Sequence, residues 1–203
     1  MTRRLLIWWV PATVLGLLPA AWLVLALVTD RLGANPVEAL LHQTGLFGLQ
    51  FLLLTLAVSP LRRWTGWKRL HAMRRPLGLL AFFYLSVHLG IYLGLDRMLV
   101  WNEIVTDITK RPYITVGFLA FLLLIPLAVT STRAMVRRLG LRWFQLHRLV
   151  YLAPVLGVLH FAWAVKADLR EPLIYGSILL ALLGYRLIHH RRLTRRAPAP
   201  ASR

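Results

Sequence analysis

The chain has 203 residues, of which 58% are hydrophobic; a soluble domain of this size is nearer 45–50% apolar, and here the apolar residues form long blocks with the charges between them, as in a chain that uses lipid as its solvent. The formal net charge of +18 would suggest nucleic acid in a soluble protein, but the basic residues stand at the ends of apolar blocks rather than on one soluble face, so nucleic acid is excluded as a partner. With no cysteine, disulfides, thiolate-held metals, Cys-ligated iron–sulfur clusters and c-type haem attachment are excluded too, and any metal must be held by His, Met, Tyr or carboxylate.

The first apolar block, Leu5–Val28, follows Arg3 and Arg4 as a signal peptide would. At about 24 residues it is too long for a signal core, and no clear small-x-small cleavage site follows it. The block predicts a retained transmembrane helix, kinked at Pro11 and Pro19. Five more blocks follow: Gly45–Leu61, Pro76–Leu95, Pro112–Thr130, Leu149–Val165 and Pro172–His189. Each has about 17–20 residues, enough at ~1.5 Å per residue to cross a core ~30 Å thick. Pro76, Pro112 and Pro172 stand where a helix begins and a missing N–H costs least. The blocks lack the strict alternation of barrel strands and are about twice their length. The reading is an all-α polytopic membrane protein, a six-transmembrane-helix bundle.

The connecting segments set the orientation. Arg3–Arg4, residues 62–75, residues 131–148 and the tail from 186 onward carry 19 of the 25 Lys and Arg. All seven acidic residues (Asp30, Glu38, Asp96, Glu103, Asp107, Asp168, Glu171) fall in the other segments. The positive-inside rule puts the basic segments, and with them both termini, in the cytoplasm, and the protein in the bacterial inner membrane. No soluble domain is left over: residues 1–190 are one membrane domain, and 191–203 a basic cytoplasmic tail, Pro/Ala-rich from Ala197 and expected to be disordered. There is no Gly-x-Gly, hence no dinucleotide fingerprint or P-loop, and no internal repeat is evident.

Of the seven histidines, His42, His71, His189 and His190 lie at block edges or in basic segments and read as interfacial or solvated side chains. His88 and His160 lie well inside apolar blocks, where an ionisable group is expensive and usually functional. Counted from the basic side, His88 is ~18 Å deep and His160 ~20 Å deep. Two histidines on two helices at one depth suit the axial ligands of a haem between helices; the alternative is a pair of inter-helix hydrogen bonds. His147 begins the fifth helix beside Arg148, ~20 Å from His160 along the same helix. It is either an interfacial anchor or the ligand of a second redox centre. On an ideal helix His147 and His160 point about 140° apart, with Pro154 between them.

Phe82, Phe83, Tyr84, Tyr92, Tyr151, Phe161 and Trp163 cluster near these histidines, and Gly90 and Gly157 lie close to them in sequence. Small residues admit a flat macrocycle or a neighbouring helix equally well. The basic segment Arg62–Arg75 is first a topology determinant, and its charges suit phospholipid, haem propionates or a flavin phosphate.

Several stretches are familiar in combination. They are Arg74-Arg75-Pro76-Leu77-Gly78 running to Tyr84 and His88, Arg111-Pro112-Tyr113-Ile114-Thr115-Val116-Gly117, Pro126-Leu127-Ala128-Val129-Thr130-Ser131, Leu146-His147-Arg148-Leu149-Val150-Tyr151, and His160-Phe161-Ala162-Trp163. Together they resemble the haem-binding membrane-subunit family of the periplasmic methionine sulfoxide reductase system, within the wider ferric-reductase-like transmembrane group. The resemblance spans roughly residues 5–190. It implies b-type haem with FMN also associated, and electrons taken from the quinone pool. It implies a periplasmic molybdopterin-containing catalytic subunit as the partner that reduces methionine sulfoxide. The family's membrane histidines fall on His88, His147 and His160. The chain is then an electron-transfer component rather than the catalytic subunit. The alternatives are a stand-alone ferric reductase or cytochrome b561-like quinol oxidase and, from another class, a cofactor-free small transporter or scaffold.

Overall fold

The computed structural model describes residues 3–165 and 168–195. The chain runs through α1 (Arg3–Val28), α2 (Pro36–Thr65), a 3₁₀ turn (Lys68–Met73), α3 (Arg74–Ile91), which widens into a π turn at Tyr92–Asp96, α4 (Trp101–Lys110), α5 (Pro112–Val129), α6 (Arg133–Leu139), α7 (Leu141–Leu146), α8 (Leu149–Ala164) and α9 (Arg170–Arg195). Among the described residues six segments are long and apolar enough to cross a membrane: α1, α2, α3 with its flanking turns, α5, α7 with α8, and α9. The fold is all-α and polytopic, as expected. Large apolar side chains such as Leu15, Trp22, Leu119, Leu152 and Leu180 are exposed on these segments. In a bilayer protein this is the lipid-facing surface rather than an anomaly.

α2 starts at Pro36 and ends at Thr65, beyond both edges of the block Gly45–Leu61. Hydropathy reports only the lipid-immersed part, whereas caps set the real ends. Asn35 accepts the Glu38 N–H at 3.2 Å and donates from Nδ2 to the Glu38 carboxylate at 2.9 Å, with Pro36 in the first turn. At the other end Gly66 takes φ +70°, a left-handed cap that costs glycine nothing. α4 has no apolar block behind it. It buries Ile104 and Asp107 and exposes Trp101 and Val105. Asp107 meets Arg97 at 2.8 Å and Arg111 at 3.0 Å, which ties α4 to the turns on either side. α9 is helical through Arg195, past the expected domain boundary at residue 190; residues 196–203 of the expected tail lie outside the described residues.

α1 is helical through Pro11 and Pro19. Between Gly16 and Ala20, where an ideal helix closes an i to i+4 bond, the Tyr84 hydroxyl of α3 donates to the Gly16 carbonyl at 2.7 Å and accepts from the Ala20 N–H at 3.0 Å. A side chain from a neighbouring helix thus satisfies backbone groups that have no water to turn to. Leu80 packs directly against Gly16, so α1 and α3 lie close.

The centre is built from two helix pairs. α2 packs along α3 and α5 along α8, while α3 also meets α5 and α2 also meets α8. One buried cluster joins them: Leu52 of α2, Ala81 of α3, Leu124 and Leu127 of α5, and Ala153 of α8, both alanines being 0% exposed. The pairs are equivalent. Gly45 and Gly117, Leu52 and Leu124, Ala81 and Ala153, and His88 and His160 occupy matching places at one constant sequence offset. This corrects the expectation of no internal repeat. The few shared positions are those where helices touch; the lipid-facing residues between them are free to differ, so no repeat is legible by eye.

Candidate functional site

The repeat brings His88 of α3 and His160 of α8 together. Their ring centroids are 6.2 Å apart and their planes cross at 83°. Each ring is held from behind in the same way. His88 Nδ1 donates to the Leu41 carbonyl of α2 at 2.9 Å, and His160 Nδ1 to the Tyr113 carbonyl of α5 at 2.7 Å; each partner lies 47 residues upstream. A carbonyl only accepts, so both Nδ1 atoms carry a proton, and in a neutral imidazole Nε2 then keeps the lone pair. This is the arrangement that second-shell bonds impose on metal-ligating imidazoles. The inter-helix hydrogen bonds weighed against ligation therefore exist, and they leave Nε2 of each ring for another partner.

The helix turn behind each carbonyl is opened by a glycine. A Cβ on Gly117 would lie 2.6 Å from His160 Nδ1, and one on Gly45 would lie 3.1 Å from His88 Nδ1. These are the small residues on which the rings lie, and both stand on the partner helices. Gly90 and Gly157, chosen for nearness in sequence, have no such part. A Cβ on Gly90 meets nothing within 4 Å, and one on Gly157 meets only Leu49 at 3.7 Å. Adding four to the carbonyl position would have found Gly45 and Gly117, but the carbonyl partners themselves were not readable without the fold.

The pair fits a haem iron. Two metal–nitrogen bonds of ~2 Å in line, with each nitrogen ~1 Å from its ring centre, place imidazole centroids ~6 Å apart, the spacing seen here. A haem site takes neutral imidazoles, and an Nδ1–H tautomer presents Nε2 to it. Tyr113 lies 6.2 Å from the His160 ring, and Phe82 stacks on Phe121 at 5.6 Å, between α3 and α5.

His147 is elsewhere and is held differently. It lies in the turn between α7 and α8, so the ideal-helix angle to His160 does not apply to it. Its Nε2 is 3.0 Å from the Thr130 hydroxyl, which already spends its one proton on the Pro126 carbonyl at 2.6 Å. His147 therefore donates from Nε2 and keeps its lone pair on Nδ1. Trp143 stacks on the ring at 3.9 Å and donates to the Thr130 carbonyl at 2.9 Å. From Tyr113 to Thr130, the anchors of His160 and His147, α5 rises about 25 Å. His147 thus sits at the far, basic end and is not part of the pair.

His42, His71 and His189 are not part of the pair, and the side chain of His190 lies outside the described residues. His42 lies 3.4 Å from Glu171 and edge-on to Phe161. His189 stacks on Tyr185 at a centroid distance of 6.3 Å, and His71 is in the 3₁₀ turn.

Comparison with known proteins agrees with this picture. Residues 42–158 match the family described as ferric reductase like transmembrane component. The chain is similar to the protein-methionine-sulfoxide reductase heme-binding subunit MsrQ of Xanthomonas campestris pv. campestris (strain 8004), with 54% identity over 86% of this chain and 82% of that protein. It is also similar to the subunit of the same name from Rhodospirillum rubrum, with 54% identity over 91% of this chain and 89% of that protein. A third, from Xanthomonas oryzae pv. oryzae (strain MAFF 311018), is 52% identical over 88% of this chain and 84% of that protein.

Proposed function

The chain belongs to the ferric-reductase-like transmembrane family and, within it, to the MsrQ heme-binding subunits, and from that premise we propose that it is the electron-transfer subunit of a methionine sulfoxide reductase system in the bacterial inner membrane. His88 and His160 would hold one b-type haem between α3 and α8, each through Nε2. The haem, when bound, supplies a one-electron carrier inside the membrane. The chain's own contribution is to fix both imidazoles as Nδ1–H tautomers, to orient them by backbone carbonyls, and to surround them with apolar helices.

The donor is quinol and the acceptor a periplasmic molybdopterin-containing catalytic subunit, which this protein serves without acting on methionine sulfoxide itself. The basic segments face the cytoplasm. His147 lies at that end with a free Nδ1, and it would hold or border a second redox cofactor where electrons come in. FMN belongs to the proposal by family resemblance, with no residues assigned to it. The observation that carries the reading is the matched pair His88–His160, each ring held through Nδ1 and the ring centroids at a separation one iron spans.

The test is reduction of the purified protein, followed by absorption, with quinol and with dithionite. A sharp reduced b-type band is expected, and its absence would leave the cofactor-free scaffold standing. Stopped-flow on His147→Ala should then show slower reduction by quinol with the dithionite rate unchanged, since dithionite needs no docking site. An unchanged quinol rate would make His147 an anchor for α8 only.

A further inference from the structure

Two arginines at the basic end share one oxygen. Arg74, at the start of α3, donates from Nη2 to the Ser59 hydroxyl of α2. Arg186 of α9 donates from its own Nη2 to that hydroxyl at 2.8 Å and to the Leu56 carbonyl at 2.8 Å. Its Nη1 donates to the Tyr151 hydroxyl of α8 at 2.9 Å, with the guanidinium 5.0 Å from the centre of that ring. Four helices thus converge on one point. The Arg186 Nε is buried there and has no hydrogen-bond partner.

The charge at this point is uncompensated. A shared oxygen puts the two guanidinium groups within ~6 Å of each other, and Arg62 and Arg63 follow Ser59 by three and four positions, on the same face of α2. Among the described residues no acidic side chain lies near them. All seven acidic residues lie at the other end of the bundle. Along the helices the nearest in sequence to each member, Glu38 to Ser59, Glu171 to Arg186 and Asp96 to Arg74, is ~20–30 Å away. Half-buried like charges, one with an orphaned Nε, lack a counter-ion among the described residues, and an anion from outside the bundle would supply it. Guanidinium forks match the oxygens of a phosphate. The depth selects the source. Ser59 is in the last apolar turn of α2 before Arg62, and the exposed Trp64 and Trp67 just beyond it mark the headgroup level.

We propose that Ser59, Arg74 and Arg186 form a phosphate site at the basic end that takes the headgroup phosphate of an anionic phospholipid. It clamps α2, α3 and α9 together from the lipid side and is independent of the haem reading.

The test uses the full-length protein in mild detergent, with native mass spectrometry and thermal unfolding in titrations of phosphatidylglycerol and phosphatidylcholine. Wild type should retain phosphatidylglycerol and prefer it on the order of tenfold, the worth of a charge-assisted hydrogen bond or two. Arg186→Gln should lose the preference, Arg74→Lys should weaken it, and Arg138→Gln on the exposed face of α6 should leave it intact. Should Arg186→Gln fail to fold, Arg74→Lys and Ser59→Ala carry the test. Equal loss in Arg138→Gln, or no loss in the site variants, overturns the proposal. So does displacement of the lipid by millimolar inorganic phosphate or FMN, which would make the ligand a soluble phosphate.

Discussion

What fixes His88 and His160 is backbone, not side chain. Each ring leans on a carbonyl one helix away, and each carbonyl is left open by a glycine one turn on. This makes the glycines a graded test. Gly117→Ala would push a methyl to 2.6 Å from His160 Nδ1, and Gly45→Ala to 3.1 Å from His88 Nδ1, while Gly90→Ala meets nothing. Haem retention should fall about tenfold in Gly117→Ala, the usual effect of disturbing an outer-shell partner, less in Gly45→Ala, and not at all in Gly90→Ala. Pyridine haemochrome assay of the purified variants reads the order directly, and equal retention in Gly117→Ala and Gly90→Ala would contradict it. The histidines themselves were legible, because an ionisable group inside an apolar block stands out and equal depth can be counted. Leu41, Gly45, Tyr113 and Gly117 were not, because they sit on other helices and nothing in their own neighbourhood marks them.

Among the elements, α1 depends on its neighbour. The Tyr84 hydroxyl stands in for the bond between Ala20 N–H and the Gly16 carbonyl, and Tyr84 is 1% exposed. Tyr84→Phe leaves both backbone groups unpaired in an apolar setting, a loss of about 1–2 kcal/mol. A lower unfolding midpoint in detergent is expected, with the haem band intact; an unchanged midpoint would mean that the helix closes its own bond there. The six spans themselves were legible from block length alone. Helix ends were not, since Asn35 and Gly66 set the limits of α2 outside the apolar block. α4 was missed because it is short and carries no continuous apolar block; the buried Ile104 and the ion pairs of Asp107 with Arg97 and Arg111 hold it.

The whole molecule is polarised, with 19 of the 25 Lys and Arg in the segments of one end of the bundle and all seven acidic residues in those of the other. That separation was plain in the sequence, whereas the equivalence of α2–α3 and α5–α8 was hidden because it survives only where helices touch, at Leu52, Leu124, Ala81 and Ala153. The polarity predicts topology. Reporter fusions after residues 66 and 140 should read as cytoplasmic, and those near 35, 103 and 169 as periplasmic. A periplasmic signal at 66 would reverse the orientation and with it the direction of electron flow.

All of these scales meet in one claim, that the two halves of the repeat each give one ligand to a single iron. The direct measurement is the reduced-minus-oxidised spectrum and haem content of His88→Ala, His160→Ala and the double variant in purified protein. The pairing predicts that either single change removes the same haem, that the double change removes no more, and that the protein still accumulates in the membrane. Single variants that both keep the full wild-type haem spectrum would contradict it, as would losses from the two that add up in the double variant.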